Sequence, residues 1–382
     1  MCFGGFMKVA VVFGGESCEH DVSIITGVQL INKFNNYLYD IVPVYISKDG
    51  VWYTGEELND LDNYSVGLNY KKLKKCSLVA GSNILYIIKG KKLVPYNEID
   101  AAIPCMHGVR GEDGALAGVL ELSHIPYTSC SICSSSVSMD KGVFKTFAKG
   151  LGVSVIDGYV VDNNEFLIDE SRVVDGISNF GLPVIIKPCR QGSSIGIEVV
   201  KNVADVKNAL SMAFQYDNRV LVEKYVDVDK EVNLALFDNK GELVVSLTET
   251  PLGSDEILSF DNKYRKNAGG FETIKRIMPA SISEDANYEL SDMATKVYRG
   301  LDMFGVVRFD FILDRSGMLY LNEVNTIPGS MANYLFDKSQ YPYPKLIELM
   351  ISNAVKRFER DLGIKKTIDT DIVGSGIDFL KK

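Results

Sequence analysis

An α/β chain, α+β in parts, with a parallel sheet at its start is what the sequence predicts, and three observations carry that prediction. Residues 8–13 are a short apolar run that stops at Gly14 and Gly15. The following SCEHDVSIITGVQLINKF has helical spacing, and residues 40–47, DIVPVYIS, form a second apolar run. Strand, helix, strand in that order requires a parallel pair with a right-handed crossover.

Because the first run begins directly after Met7, residues 1–6 are expected to be an extension. Residues 51–94 carry shorter runs, VWY and NILYIIKGKKLV, which read as an added antiparallel elaboration. Residues 99–105 return to the sheet, HGVRGEDG is a loop, ALAGVLELSH is helical, and residues 125–130 are one more strand. Small residues at 131–138 read as a connector, so the first domain is placed at 1–130. A second unit, 131–224, is expected to run helix 138–151, strand 153–161, helix 164–180, strand 183–187, strand 195–200, helix 203–214 and strand 219–224. The third, 225–382, alternates strands (EVNLALF, LVVSLTET and a hairpin after residue 307) with helices over 285–302 and 342–361.

A chain of 382 residues that is 46% hydrophobic and 24% charged has enough apolar material for two or three real cores. Its formal charge of −9, without a massed basic tract, argues against nucleic acid as the main partner. No run approaches the roughly 20 apolar residues of a membrane span. Seven cysteines in apolar or small-residue settings, in a chain without a secretory signal, predict a reduced, cytoplasmic protein. Cys130 and Cys133 have CxxC spacing, but no second pair or neighbouring histidine completes a zinc site.

The chemistry concentrates in RFDFILDRSGMLYLNEVNTIPG, residues 308–329. Side chains alternate faces along a strand, so Arg308 shares a side with Asp310, and Glu323 with Asn325. The turn signal at 314–317 makes the two runs a hairpin with those faces adjacent. Carboxylates that interrupt apolar, buried strands are expensive unless used. Asp310, Glu323 and Asn325 offer hard oxygen ligands, the kind that suit magnesium bridging nucleotide phosphates. Upstream, KPCRQGSSIG sets Lys187 at a strand end before a small, flexible loop whose amides can approach phosphate oxygens. It lacks the GK[ST] step of a Walker A loop. Glu223, Lys224 and Tyr225 end the run LVEKY, and Glu231 follows before another strand, an arrangement that suits an adenine and ribose pocket at a domain junction. Lys141, in SMDKGVFK, begins a helix with Ser138 as its expected N-cap. The polar stretch 252–271, with glycines near both ends, fits a lid that excludes water.

In their order, these features resemble an ATP-grasp enzyme and, more narrowly, the D-alanine:D-alanine ligase family with its D-serine relatives. The resemblance runs from about Met7 to Leu335. Its specific phrases are GGESCEHDVS, HGVRGEDG, SMDK, KPCRQGSSIG and NEVNTIPGS. It implies a three-domain ATP-grasp architecture and ATP-dependent joining of two D-alanines through an acyl phosphate, for peptidoglycan precursors. Two magnesium ions, with manganese as the alternative, and a homodimer are implied as well.

Residue by residue, the resemblance implies that Glu19 anchors the first substrate's ammonium and that His107 lies beside that substrate. Lys141 and Lys187 would contact ATP phosphates, and Glu223, Lys224, Tyr225 and Glu231 the adenine and ribose. Ser193 and Tyr264 would join Glu19 in positioning substrate, and Lys263 would hold the transferred phosphoryl group. Arg308 and the N–H of Gly329 would stabilise the oxyanion, beside a metal at Asp310, Glu323 and Asn325.

The chain departs from the family where SMANYLF follows Gly329: Tyr334 and Leu335 stand where a serine is expected to meet the second substrate's carboxylate. D-serine as second substrate therefore stays open. Another ATP-grasp carboxylate–amine ligase would have no use for Glu19, His107, Ser193 and Tyr264 as a set. A nucleotide-binding regulator without turnover would have none for the ligand triad and Arg308.

Overall fold

The computed structural model describes residues 6–34, 38–252, 276–336 and 341–370. The expected opening is present. β1 (Met7–Gly14) runs parallel to β2 (Tyr39–Ile46) through α1 (His20–Lys33), and β7 (Ala101–Pro104) pairs with β1 on its other side, also parallel. Between them in sequence, β3 (Trp52–Thr54), β4 (Lys74–Val79), β5 (Ser82–Lys89) and β6 (Lys92–Glu98) extend the same sheet in antiparallel fashion. The result is seven strands in the order β6-β5-β4-β3-β2-β1-β7. β1 lies between β2 and β7, and six of its eight residues are buried, as a strand covered on both faces requires. After β7 comes α2 (Ala115–Leu122).

The small-residue stretch expected as a connector is helical instead: α3 (Ile132–Met139), capped by Ser131, whose hydroxyl accepts from the Ser134 amide. Serines are poor helix formers but good caps, so the alternation of small residues hid a helix that tertiary packing holds. Ser138 lies inside α3 and does not cap the next helix. That cap of α4 (Lys141–Gly150) is Asp140, whose carboxylate accepts from the amides of Gly142 and Val143 at 3.1 Å each.

A second sheet follows, in the order β10-β9-β11-β8: β8 (Gly158–Asp162), β9 (Val184–Pro188), β10 (Glu198–Val200) and β11 (Arg219–Lys224), all antiparallel. The expected single helix over 164–180 is two, α5 (Asn163–Ile168) and α6 (Glu170–Phe180), broken at Asp169, whose side chain caps the second. α7 is Val203–Ala213. The third sheet has the order β13-β12-β16-β17 and is built from β12 (Val228–Asn239), β13 (Glu242–Val245), β16 (Val307–Asp314) and β17 (Leu319–Asn325). β14 (Thr250–Pro251) pairs with β15 (Arg276–Ile277), and the long helices are α8 (Glu284–Gly300) and α9 (Tyr343–Leu362).

One core crosses the expected boundaries. Cys130, Phe144, Ala148, Val153 and Val155 pack into the core of the third sheet with Phe309, Phe311 and Leu321. One face of the first sheet shares a core with Phe237, Ile327, Phe336 and the buried side of α9. The second sheet keeps a core of its own. Sequence runs mark elements; which cores those elements join is set by shape.

Candidate active site

One cleft lies where the three sheets meet. It collects Glu19, His107, Lys141, Lys187, Ser193, Glu223, Glu231, Arg308, Asp310, Glu323, Asn325 and Gly329. Lys263 and Tyr264, with residues 253–271 of the expected lid, lie outside the described residues.

The hairpin forms as its alternation predicts, with Arg308 opposite Asn325 and Asp310 opposite Glu323. Arg308 grips Asp310 with two bonds, Nε to Oδ1 and Nη2 to Oδ2, each 2.7 Å. The Asn325 amide also reaches Asp310 Oδ2, at 3.0 Å. Burial works against the Arg308 charge, but the Asp310 carboxylate outweighs it and holds the guanidinium firmly protonated. A bulge breaks the register just past Asp310. It turns two successive residues, Asn322 and Glu323, toward the cleft. Strict alternation cannot foresee Asn322, whose Oδ1 lies 3.4 Å from Lys187 Nζ.

At the second sheet, Glu223 is 1% exposed and carries two ion pairs, to Lys145 and Lys187. Burial pushes its carboxyl up, yet the two lysines reverse that and leave it below the usual range. Lys145, in turn, is pushed down to about 8 by burial, with Glu223 opposing. Lys145 was missed in the sequence, although SMDKGVFK places it four residues after Lys141, on the same helix face. Lys141 is also buried, and its Nζ donates to the Gln191 carbonyl at 2.5 Å, tying α4 to the glycine-serine loop. Lys141 and Lys187 line the cleft beside Glu223, while Lys145 holds that carboxylate from outside the lining.

Glu19 sits between two loops. Ser193 donates to its Oε1. A Cβ on Gly108 would come 2.9 Å from Glu19 Oε2, and one on Gly192 would come 2.6 Å from the same atom. Only glycine lets both backbones approach this carboxylate so closely. Ser193 and Ser194 hold left-handed backbone, with φ of 52° and 60°, a costly conformation for non-glycine residues that marks functional loops. His107 is 4% exposed; its amide donates to Ser23 Oγ and its Nε2 meets Thr26 Oγ1, both at 2.8 Å. Burial lowers its pKa to about 4, so the ring is neutral.

Four expectations fall outside the cleft lining. Lys224 points the other way, donating to the carbonyls of Phe180 and Gly181 and lying 4.2 Å over the Phe180 ring. Strand alternation after Glu223 requires that opposite direction. Tyr225 has an exposed side chain and an amide that donates to Pro183 O at 3.2 Å. Leu335 is fully buried in the core beneath the first sheet. Tyr334 gives its hydroxyl to Glu249 Oε1 at 2.9 Å, and the Arg276 guanidinium lies 3.9 Å over its ring. The reason is a left-handed turn at Ser330, Met331 and Ala332, with φ of 49°, 52° and 46°, which rolls the chain inward after Gly329.

For a divalent cation, the chemistry of the donors fits. Among the described residues, no three His, Cys, Asp or Glu side chains gather into a metal cluster by themselves. Asp310 and Glu323 therefore need the amide oxygen of Asn325 as a third donor, an oxygen-only set suited to magnesium or manganese. Among the described residues no helix is long and apolar enough to cross a membrane.

This combination of an antiparallel hairpin bearing acids and an arginine, facing a second sheet bearing lysines, defines an ATP-grasp enzyme. The family model described as the D-ala D-ala ligase N-terminus matches residues 8–130, and the one described as its C-terminus matches 147–352. A D-alanine--D-alanine ligase of Thermosipho melanesiensis is 34% identical over 373 residues, covering 96% of this chain and 98% of its own. The crystal structure of D-alanine-D-alanine ligase from Helicobacter pylori superposes with a TM-score of 0.74 at 29% identity, covering 91% of this chain and 98% of that one. VanG D-Ala:D-Ser ligase from Enterococcus faecalis gives 0.77 at 26% identity, covering 92% and 100%. The chain belongs to the D-alanine–D-alanine ligase family.

Proposed function

We propose that this enzyme joins two D-alanines into D-alanyl-D-alanine, using ATP and passing through an acyl phosphate, for peptidoglycan precursor synthesis. The observation that carries this reading is the convergence in one cleft of Glu19 with Ser193, the buried Lys141 and Lys187 with Glu223, and the Arg308–Asp310 pair beside Glu323 and Asn325. The cytoplasmic setting and the homodimer expected from the resemblance go with it, as does the three-part division of the chain.

A carboxylate is a poor electrophile, so amide formation needs activation. The ammonium of the first D-alanine binds Glu19, held by Ser193 and closed in by Gly108 and Gly192. Its carboxylate oxygen bonds to the γ-phosphorus as the β,γ-bridging bond breaks, giving the acyl phosphate and ADP. Lys141 and Lys187 offset charge on the phosphates, while Glu231 takes the ribose. A divalent cation at Asp310, Glu323 and Asn325 would supply charge neutralisation at the transferring oxygens.

The free amine of the second D-alanine then attacks the acyl carbon, and inorganic phosphate leaves. The oxygen of the tetrahedral carbon faces Arg308, already oriented by Asp310, and the N–H of Gly329. Neutral His107 adds no charge beside the first substrate. The bound pair needs closure to keep water from the acyl phosphate.

D-serine as second substrate is the other reading, favoured by the turn that leaves Tyr334 bonded to Glu249 and off the cleft lining, where a serine was expected. Product analysis with ATP and D-alanine alone, L-alanine alone, and D-alanine with equal D-serine or D-lactate decides between them. Phosphate release with D-alanine, and D-alanyl-D-alanine as main product, is expected. Dominant D-alanyl-D-serine would transfer the assignment, and release with L-alanine alone, or none at all, would overturn it.

A further inference from the structure

Resting on that reading, we infer that Glu112 is a positioning residue that fixes the distance between the first-substrate subsite and the oxyanion donors. It lies in HGVRGEDG, between β7 and α2, and no step above uses it. Its carboxyl joins two backbone segments far apart in the chain. Oε2 accepts from the Gly108 amide at 2.8 Å, and Oε1 accepts from the Ile327 amide at 3.2 Å. Gly108 is the residue packed on the Glu19 carboxylate. Ile327 is two residues before Gly329, the proposed oxyanion donor. One carboxyl therefore spans the two halves of the reacting geometry.

Neighbouring contacts act in the same sense. Thr326 Oγ1 donates to the Glu112 carbonyl at 3.4 Å, and His107 also bonds the Ile327 backbone. On the far side, the Ser330 amide reaches Thr26 Oγ1 at 3.4 Å, and Ser330 Oγ donates to Gln29 Oε1 at 2.9 Å. Residues 326–330 are thus fastened to the first sheet's loop and helix, with Glu112 as the member whose one carboxyl holds both the Gly108 and the Ile327 amides. Burial, then the nearby Glu19 charge, push its carboxyl up to about 8. A protonated carboxyl can hold two amides here without adding a second anion beside Glu19.

Positioning of this kind governs partition, because an acyl phosphate held at the wrong distance from the incoming amine is lost to water. Glu112→Gln keeps the side chain's length and one carbonyl acceptor; Glu112→Ala removes both. Each is assayed as full-length enzyme for dipeptide kcat, KM for ATP, phosphate released per dipeptide, and thermal midpoint. Expected are a kcat about 10-fold lower for Gln and about 100-fold lower for Ala. KM for ATP should stay within about twofold, and phosphate per dipeptide should rise above one. If Ala does not fold, Gln alone decides. An unchanged kcat and a ratio of one in folded Gln variant overturn the inference, as does a loss explained wholly by a lower folded fraction. A wild-type enzyme that makes no dipeptide would instead sink the proposed function.

Discussion

Two glutamates are set into the same cleft with opposite surroundings. Glu223 lies between Lys145 and Lys187 and is held below the usual carboxylate range. Glu112 accepts only backbone amides, faces Glu19, and is pushed up to about 8. The difference shows how one cleft serves two chemistries. On the proposed reading, an anion is buried to hold lysines in place where polyphosphate would bind, and a neutral carboxyl avoids competing with Glu19 where a zwitterion would be aligned.

The strongest way to break this comparison is to neutralise each glutamate in turn. Glu223→Gln leaves Lys145 and Lys187 facing one another in a buried site, and removing one partner of a buried ion pair costs about 3–5 kcal/mol. Its thermal midpoint should fall well below that of Glu112→Gln. Equal midpoints would remove the distinction. Arg308→Ala tests what lies between the two: losing such a donor costs about 3 kcal/mol of barrier, so turnover should drop on the order of 100-fold while ATP binding stays measurable by calorimetry. Near-normal turnover would deny Arg308 its role.

Stability against pH separates the glutamates by sign. Glu223 has a lowered folded pKa, so its contribution is present above the unfolded value of 4.5 and is lost as pH falls. Glu112 has a raised one; its contribution is full below 4.5 and is lost as pH rises toward about 8. Denaturant titrations from pH 5 to 9 should therefore show a decline for wild type that flattens in Glu112→Gln. An unchanged slope would mean Glu112 is ionised throughout. The smallest effect is expected for Tyr334→Phe, which removes one hydrogen bond to Glu249, worth about 1 kcal/mol. A shift in the D-alanyl-D-alanine to D-alanyl-D-serine ratio in that variant would bring Tyr334 back into second-substrate selection.

Much of the site was legible because short-range rules govern it. Alternation along a strand put Arg308 with Asp310, and the turn at 314–317 brought Glu323 and Asn325 opposite them. Lys145 was equally readable from its four-residue spacing to Lys141, but a lysine on a helix ordinarily faces solvent. Glu112 gave no such signal, since its partners lie 4 and 215 positions away.

The sequence by itself determined the parallel opening β1-α1-β2 and the polarity of the 308–329 hairpin, because periodicity and turn chemistry act over a few residues. Tertiary structure alone decided the bulge that turns Asn322 into the cleft and the left-handed turn that carries Tyr334 out of its lining and buries Leu335 in the core. It also decided which core residues 130–155 join and the reach of Glu112 to Ile327. These depend on which surfaces meet, and no local pattern encodes the separation of two lobes.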